Sequence, residues 1–125
     1  MKSVIFNTGS RKALGPYSQA IKANGFIFVS GQVALDPAAG AMVKGNIALE
    51  TEQVLENVMT ILTGGASSLS KVVKATIFLK DLNDLEVVNE VCGRFSHSAP
   101  PVCSLVEAVR LPRDARIEID VIAVA

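Results

Sequence analysis

The chain has 125 residues, 50% of them hydrophobic, with 12 basic and 12 acidic side chains and no tryptophan. That length fits one domain over residues 1–125, which on folding buries roughly two-thirds of the surface of the unfolded chain in a core of Val, Ile, Leu and Ala. A formal net charge of zero removes the long-range field of a general nucleic-acid binder, no apolar run is long enough to span a bilayer, and so much apolar content without net charge points to surface covered by further copies of the chain.

Ser3-Val4-Ile5-Phe6 reads as a first strand, ended by the turn-rich Asn7-Thr8-Gly9-Ser10. The loop carries Arg11 and Lys12, and Gly15-Pro16 leaves Tyr17 at the entry to the next strand. Gln19 to Ala23 and Phe26 to Ser30 flank Asn24-Gly25, the dipeptide best suited to a type I′ hairpin because both central residues accept positive φ. Gly31-Gln32 closes the second arm; a glycine there marks a close approach of backbone or ligand or, more commonly, a bulge. Asp36-Pro37 to Gly40 makes another turn, and Met42-Val43 a short edge strand.

From Asn46 the period lengthens, and Ile47, Thr51, Val54, Leu55, Val58, Ile61 and Leu62 share one helical face, with Asn46 as N-cap and Gly64-Gly65 as the stop. Val72 to Lys80 alternates as a central strand, with Val73, Ala75, Ile77 and Leu79 on one face and Lys74, Thr76, Phe78 and Lys80 on the other. Asn83 and Glu86 have the form of a capping box, after which Leu85, Val88, Val91, Cys92 and Phe95 continue a second helix to about Ser96. Pro100-Pro101 ends helical structure, and Val102 to Val109 and Arg116 to Val124 become a hairpin about Leu111-Pro112-Arg113-Asp114. This order predicts an α+β fold with both helices on one sheet face and the other face covered by oligomerisation.

Glu118 lies among Ile117, Ile119 and Val121 on the polar side of an apolar strand. In a cleft, desolvation would raise its pKa and suit it to act as a general base or to position water; on a solvated face it would pair with Arg116 or a lysine, the commoner outcome. Cys103 sits where the last helix gives way to strand, and nothing adjacent in sequence activates it. A buried, inert thiol is its expected state. Cys92 and Cys103, without a signal-peptide pattern at Met1-Lys2-Ser3-Val4, suit reduced thiols in a cytoplasmic protein. His97 is the single histidine, so no metal-ligand set forms and a capping or surface role remains. Tyr17 and Ser30 offer hydroxyls to a polar pocket or to local backbone, and Asn89 is polar within an apolar helix face, pointing into a site or to water.

Together, Gly15-Pro16-Tyr17-Ser18-Gln19-Ala20, Ser30-Gly31-Gln32, Lys71 to Thr76, Asn89-Glu90-Val91 and Arg110-Leu111-Pro112 through Ile117-Glu118-Ile119-Asp120 resemble the RidA/YjgF family of enamine/imine deaminases, over nearly the whole chain. The resemblance implies a chorismate-mutase-like fold and a homotrimer with clefts between subunits. It also implies cofactor-free hydrolysis of small imines, 2-iminopropanoate and 2-iminobutanoate, to a 2-oxo acid and ammonia. It makes Glu118 the catalytic, water-orienting carboxylate and assigns Tyr17, Ser30, Gly31 and Asn89 to substrate binding.

Where deaminating members of that family read Pro-Ala-Arg-Ser or Pro-Thr-Arg-Ser, this chain reads Pro101-Val102-Cys103-Ser104. The resemblance therefore puts Cys103 in the place of the arginine that grips the substrate carboxylate, and a thiol cannot form that bidentate pair. A hydrogen bond to a charged group contributes roughly 1.5–3 kcal/mol, so its loss weakens carboxylate recognition about ten- to a hundredfold. Arg11-Lys12 stand where the family usually has Ala-Pro; one of these or Arg94 could substitute in part for the missing arginine, solvated charges being the commoner outcome. Two functions follow: an imine deaminase altered at its carboxylate site, or a non-catalytic trimer that binds a small metabolite or partner protein in the same cleft. Ribonuclease activity, attached to some relatives, is disfavoured by neutral charge and the lack of a base-stacking aromatic cluster.

Overall fold

Asn24 and Gly25 adopt φ of 55° and 81° in the computed structural model, which describes residues 1–5, 17–95 and 99–125. Two positive φ values in succession define the expected type I′ turn. The first strand, Lys2–Ile5 (β1), pairs with Ala20–Ala23 (β2), which the turn joins to Phe26–Gln32 (β3). Leu35–Asp36 (β4) and Ala41–Met42 (β5) form a separate small ribbon. Ile47–Gly64 (α1) begins at its predicted cap, where the Asn46 side chain accepts the Leu49 N–H at 2.9 Å, and stops at Gly65. Val72–Leu79 (β6), Leu85–Phe95 (α2), Val102–Glu107 (β7) and Ile117–Val124 (β8) complete the domain. The loop with Arg11 and Lys12, and His97, lie outside the described residues.

The main sheet runs β1-β2-β3-β8-β6-β7, so the hairpin expected between the last two strands does not form. β8 lies antiparallel between β3 and β6, and β7 runs parallel to β6 on its far side. Burial decides the arrangement. Ile117, Ile119, Val121 and Ala123 are buried along β8, which gains a neighbour on both edges, whereas β7 is exposed along its length and ends the sheet. A parallel β6–β7 pair requires a crossover, and α2 supplies it. The turn at Pro112–Asp114 instead carries the chain past the end of β6, whose Leu79 carbonyl accepts the Ala108 N–H at 2.8 Å while Lys80 N–H donates to Arg116 O at 3.0 Å.

Two local expectations also change. Asp81, not Asn83, caps the approach to α2: its carboxylate accepts the Asn83 N–H at 2.9 Å in a 3-10 turn at Leu82–Asp84 that precedes the helix. A register shift between Val72 and Lys74 turns Val72 into the core and leaves Val73 41% exposed. Beyond that shift, Ala75, Ile77 and Leu79 face inward as the alternation predicts.

Both helices cover one face of the sheet. Val54, Val58, Ile61 and Leu62 of α1 and Val88 and Val91 of α2 pack in one cluster with Ile27, Leu79, Ile117 and Ile119, each such side chain contributing about 1.5–3 kcal/mol by leaving water. Among the described residues no helix covers the other face, where Val4, Phe26, Phe28, Val102, Val106 and Val124 are exposed. Among the described residues no helix is long and apolar enough to cross a membrane.

The core also holds polar side chains that the hydrophobic pattern of α1 does not reveal. Asn57 is buried and donates through Nδ2 to Val33 O and Leu35 O at 3.2 and 2.8 Å, while its Oδ1 accepts from Gln53 at 2.9 Å. It binds α1 to the segment leaving β3. Asn57→Ala strips two carbonyls of this donor at once, and the expected cost is about 2–3 kcal/mol, read as a lower urea midpoint at unchanged slope.

Candidate functional site

The alternation that buries Ile117 and Ile119 sends Glu118 to the sheet face away from the helices, beside Phe78 in the register of β6. There it is half-buried, and its pKa is raised above the ordinary carboxylate value, by desolvation first and by the charge of Asp120 second. Arg116, one of its expected partners, turns instead to Glu50 and Asp84, at 3.8 and 3.5 Å. Glu50 is 4% exposed; burial raises its pKa, while the Arg116 N–H and guanidinium pull the other way.

Gly31 serves both of the uses its sequence position allowed. The register between β3 and β8 shifts between Val29 and Gln32, and the bulge presses the Gly31 backbone against the carboxylate. A Cβ at Gly31 would stand 2.8 Å from Cδ and 2.9 Å from Oε2 of Glu118. Ser30 belongs to the same stretch, but its hydroxyl donates to Ser18 O at 2.5 Å while its N–H donates to Gln19 O at 2.8 Å. It therefore anchors the chain next to Tyr17, whose side chain is 58% exposed.

Cys103 and Asn89 lie on the opposite side. Cys103 is in register with Ala75 of β6, and parallel partners share a face, so it looks toward the helices. A cavity of about 340 Å³ opens here between α2, the sheet and the Pro100–Cys103 entrance, and Asn89, Cys92, Gly93 and Cys103 all line it. Cys103 is exposed rather than buried, because β7 is an edge strand. Desolvation nonetheless raises its pKa against the opposing charge of Lys74, and burial, followed by Cys103, pushes the Cys92 thiol up to about 11. Both sulfurs are therefore protonated at neutral pH and are poor nucleophiles. Arg94 does not approach as a substitute cation but pairs with Glu52 at 3.5 Å.

The single chain thus divides its candidate residues between two faces: Glu118 and Gly31, with Ser30 anchoring the chain beside Tyr17, and Asn89 with Cys103. Cys92, which sequence reasoning placed only by its helical spacing, joins the second group while packing against the core. The available signal was its spacing of three residues from Asn89, which puts both on one side of a helix. Among the described residues no cluster of three or more His, Cys, Asp or Glu is placed to hold a metal ion.

Residues 8–125 match the family model described as Endoribonuclease L-PSP. The chain belongs to this family, the RidA/YjgF proteins. It is 48% identical over 123 residues to a RutC family protein of Pyrococcus horikoshii, with 98% of each chain covered. It is 39% identical over 124 residues to the mouse 2-iminobutanoate/2-iminopropanoate deaminase, with 99% of this chain and 92% of the mouse protein covered. A crystal structure of a conserved Rid family protein from Yersinia pestis superposes with a TM-score of 0.97 at 38% identity, covering 100% of both chains. Two helices on one face of a mixed sheet are accordingly the RidA fold.

In this RidA protein the raised pKa of Glu118 has a definite sign. The folded state holds the Glu118 proton more tightly than the unfolded chain does, so its contribution to stability is greatest below the ordinary value of 4.5 and is lost as pH rises through the folded pKa. Glu118→Gln is expected to flatten that part of the stability profile, measured as melting temperature over about pH 4 to 8. Gly31→Ala is expected to displace the carboxylate, since the added methyl would fall inside contact distance.

Proposed function

We propose that this protein hydrolyses reactive imines and their enamine tautomers to the carbonyl compound and ammonia, as a cytoplasmic homotrimer of the kind the family resemblance implies. The observation that carries the reading is Glu118, a half-buried carboxylate with a raised pKa held against the Gly31 backbone. Such a group accepts a proton from water as the water oxygen adds to the carbon of the protonated imine, giving a neutral amino alcohol. It returns that proton to the nitrogen, the C–N bond breaks as the carbonyl forms, and the hydroxyl proton leaves with the departing ammonia. Imine plus water becomes carbonyl plus ammonia, with the carboxylate restored and no cofactor in the balance.

Assembly supports the same reading. Glu118 and the Cys103–Asn89 side cannot meet across one sheet, whereas a second copy seated on the exposed face of Val4, Phe26, Phe28 and Val124 would cover apolar surface and bring the edge strand β7 of one copy toward Glu118 of another. Tyr17, Ser30 and Gly31 then form the Glu118 wall of the cleft and Asn89 and Cys103 the facing wall.

A second reading, a trimer that binds a small metabolite without turning it over, is favoured by the neutral thiol at Cys103 where the resemblance puts an arginine. One assay separates the two. With 2-aminoacrylate generated in situ and 2-oxo acid release followed, the deaminase accelerates release and Glu118→Gln lowers the rate by about a hundredfold or more. Unchanged turnover in that variant removes Glu118 from the chemistry, and no acceleration by the parent protein leaves the binding role in its place.

A further inference from the structure

We infer that the group received at Cys103 is uncharged and apolar, an alkyl or aryl substituent of the ligand that enters the cavity beneath α2. The inference deepens the imine-hydrolysis reading by naming its substrate class, neutral imines of apolar ketones or aldehydes, and it rests on that reading for the chemistry but not for the binding.

The walls of the cavity carry the argument. Leu55, Val58, Ile77, Ile119 and Val121 line its depth, all of them buried core side chains. At the α2 side its polar groups are the Asn89 amide and the thiols of Cys92 and Cys103, and among the described residues lining it there is no lysine, arginine or histidine. The nearest helix cation, Arg94, is held by Glu52 at 3.5 Å. Lys74, whose charge reaches Cys103, is not part of the lining, so a carboxylate at the depth of this space would lose its hydration without a counter-charge among the described lining residues, which disfavours its entry. An apolar group entering it gains what a carboxylate loses.

Size points the same way. A dry apolar cavity of about 150 Å³ holds benzene, so about 340 Å³ takes a phenyl or branched alkyl group with its attached carbon. Gly93 adds no side chain to this wall, and a Cβ built there meets nothing within 4 Å, so there is room for a larger residue beside the cavity mouth.

The test is a matched pair of stable ligands, 4-methylpentan-2-one and 4-methyl-2-oxopentanoate, which share an isobutyl ketone and differ in a methyl or a carboxylate beside it. Calorimetric titration of the full-length protein at neutral pH is expected to show the ketone binding at least about tenfold more tightly. Cys103→Arg, at an exposed position of an edge strand, is expected to reverse the order, and Gly93→Leu, checked for folding by circular dichroism, to weaken the ketone by about tenfold or more. Binding of the 2-oxo acid as tight as that of the ketone, or ketone affinity unchanged by Gly93→Leu, overturns the inference. Ammonia release is then compared between the neutral imine, formed by an amine oxidase, and the imino acid, formed by an amino-acid oxidase. Faster catalysed release from the neutral imine supports the substrate class. Ketone preference with neither imine accelerated upholds the ligand class and removes the deaminase reading.

Discussion

Insertion of β8 between β3 and β6 is the constraint on which the rest of this protein depends. Its inward residues Ile117, Ile119, Val121 and Ala123 are buried under the two helices, and a strand with that pattern cannot slip by one residue without turning all of them outward. The same register sends Glu118 and Asp120 to the opposite face. Because β8 takes both central edges, β7 is left as the terminal strand, and the bulge that fits β3 against β8 is what brings Gly31 onto Glu118. One packing decision therefore sets the carboxylate, its backbone neighbour and the open edge at Cys103.

Charge is distributed so that the strong partners serve the scaffold. Arg116 spans Glu50 of α1 and Asp84 of the turn before α2, and Arg94 meets Glu52. The candidate site is left with groups whose neutral forms are favoured by burial: Glu118 on one face and the two thiols on the other. A carboxyl group whose pKa is raised by desolvation can exchange protons with a reacting ligand more readily than one fixed by an arginine. A wall of neutral sulfur and aliphatic carbon recognises shape and apolar area instead of charge.

Membership in the RidA/YjgF family gives this division a place. The relatives include a mouse protein named as an imine deaminase and archaeal proteins described only as RutC family, so the shared fold holds more than one description of function, and function has to be argued from the site. The two-faced distribution of the candidate residues is the physical reason that the proposed function draws on an assembly of chains.

Much of this was legible in the sequence because it depends on local chemistry. Asn24-Gly25 dictates its turn, Asn46 caps α1, the 3.6-residue spacing of Ile47 to Leu62 marks the buried helix face, and the alternation about Glu118 places it opposite the core strand residues. The motifs were enough to identify the family. Strand order was not legible, since proximity in sequence favours a hairpin between β7 and β8 and only competition for buried edges separates them. Nor was the bulge at Val73, the cap at Asp81, or the meeting of Cys92 with Cys103 across a cavity, because each arises where elements distant in sequence must fit together. The sequence by itself determined which residues are candidates for chemistry and most of those that form the core; the tertiary structure decided which of them share a face, because side-chain direction follows from register and register is settled by burial across the whole sheet.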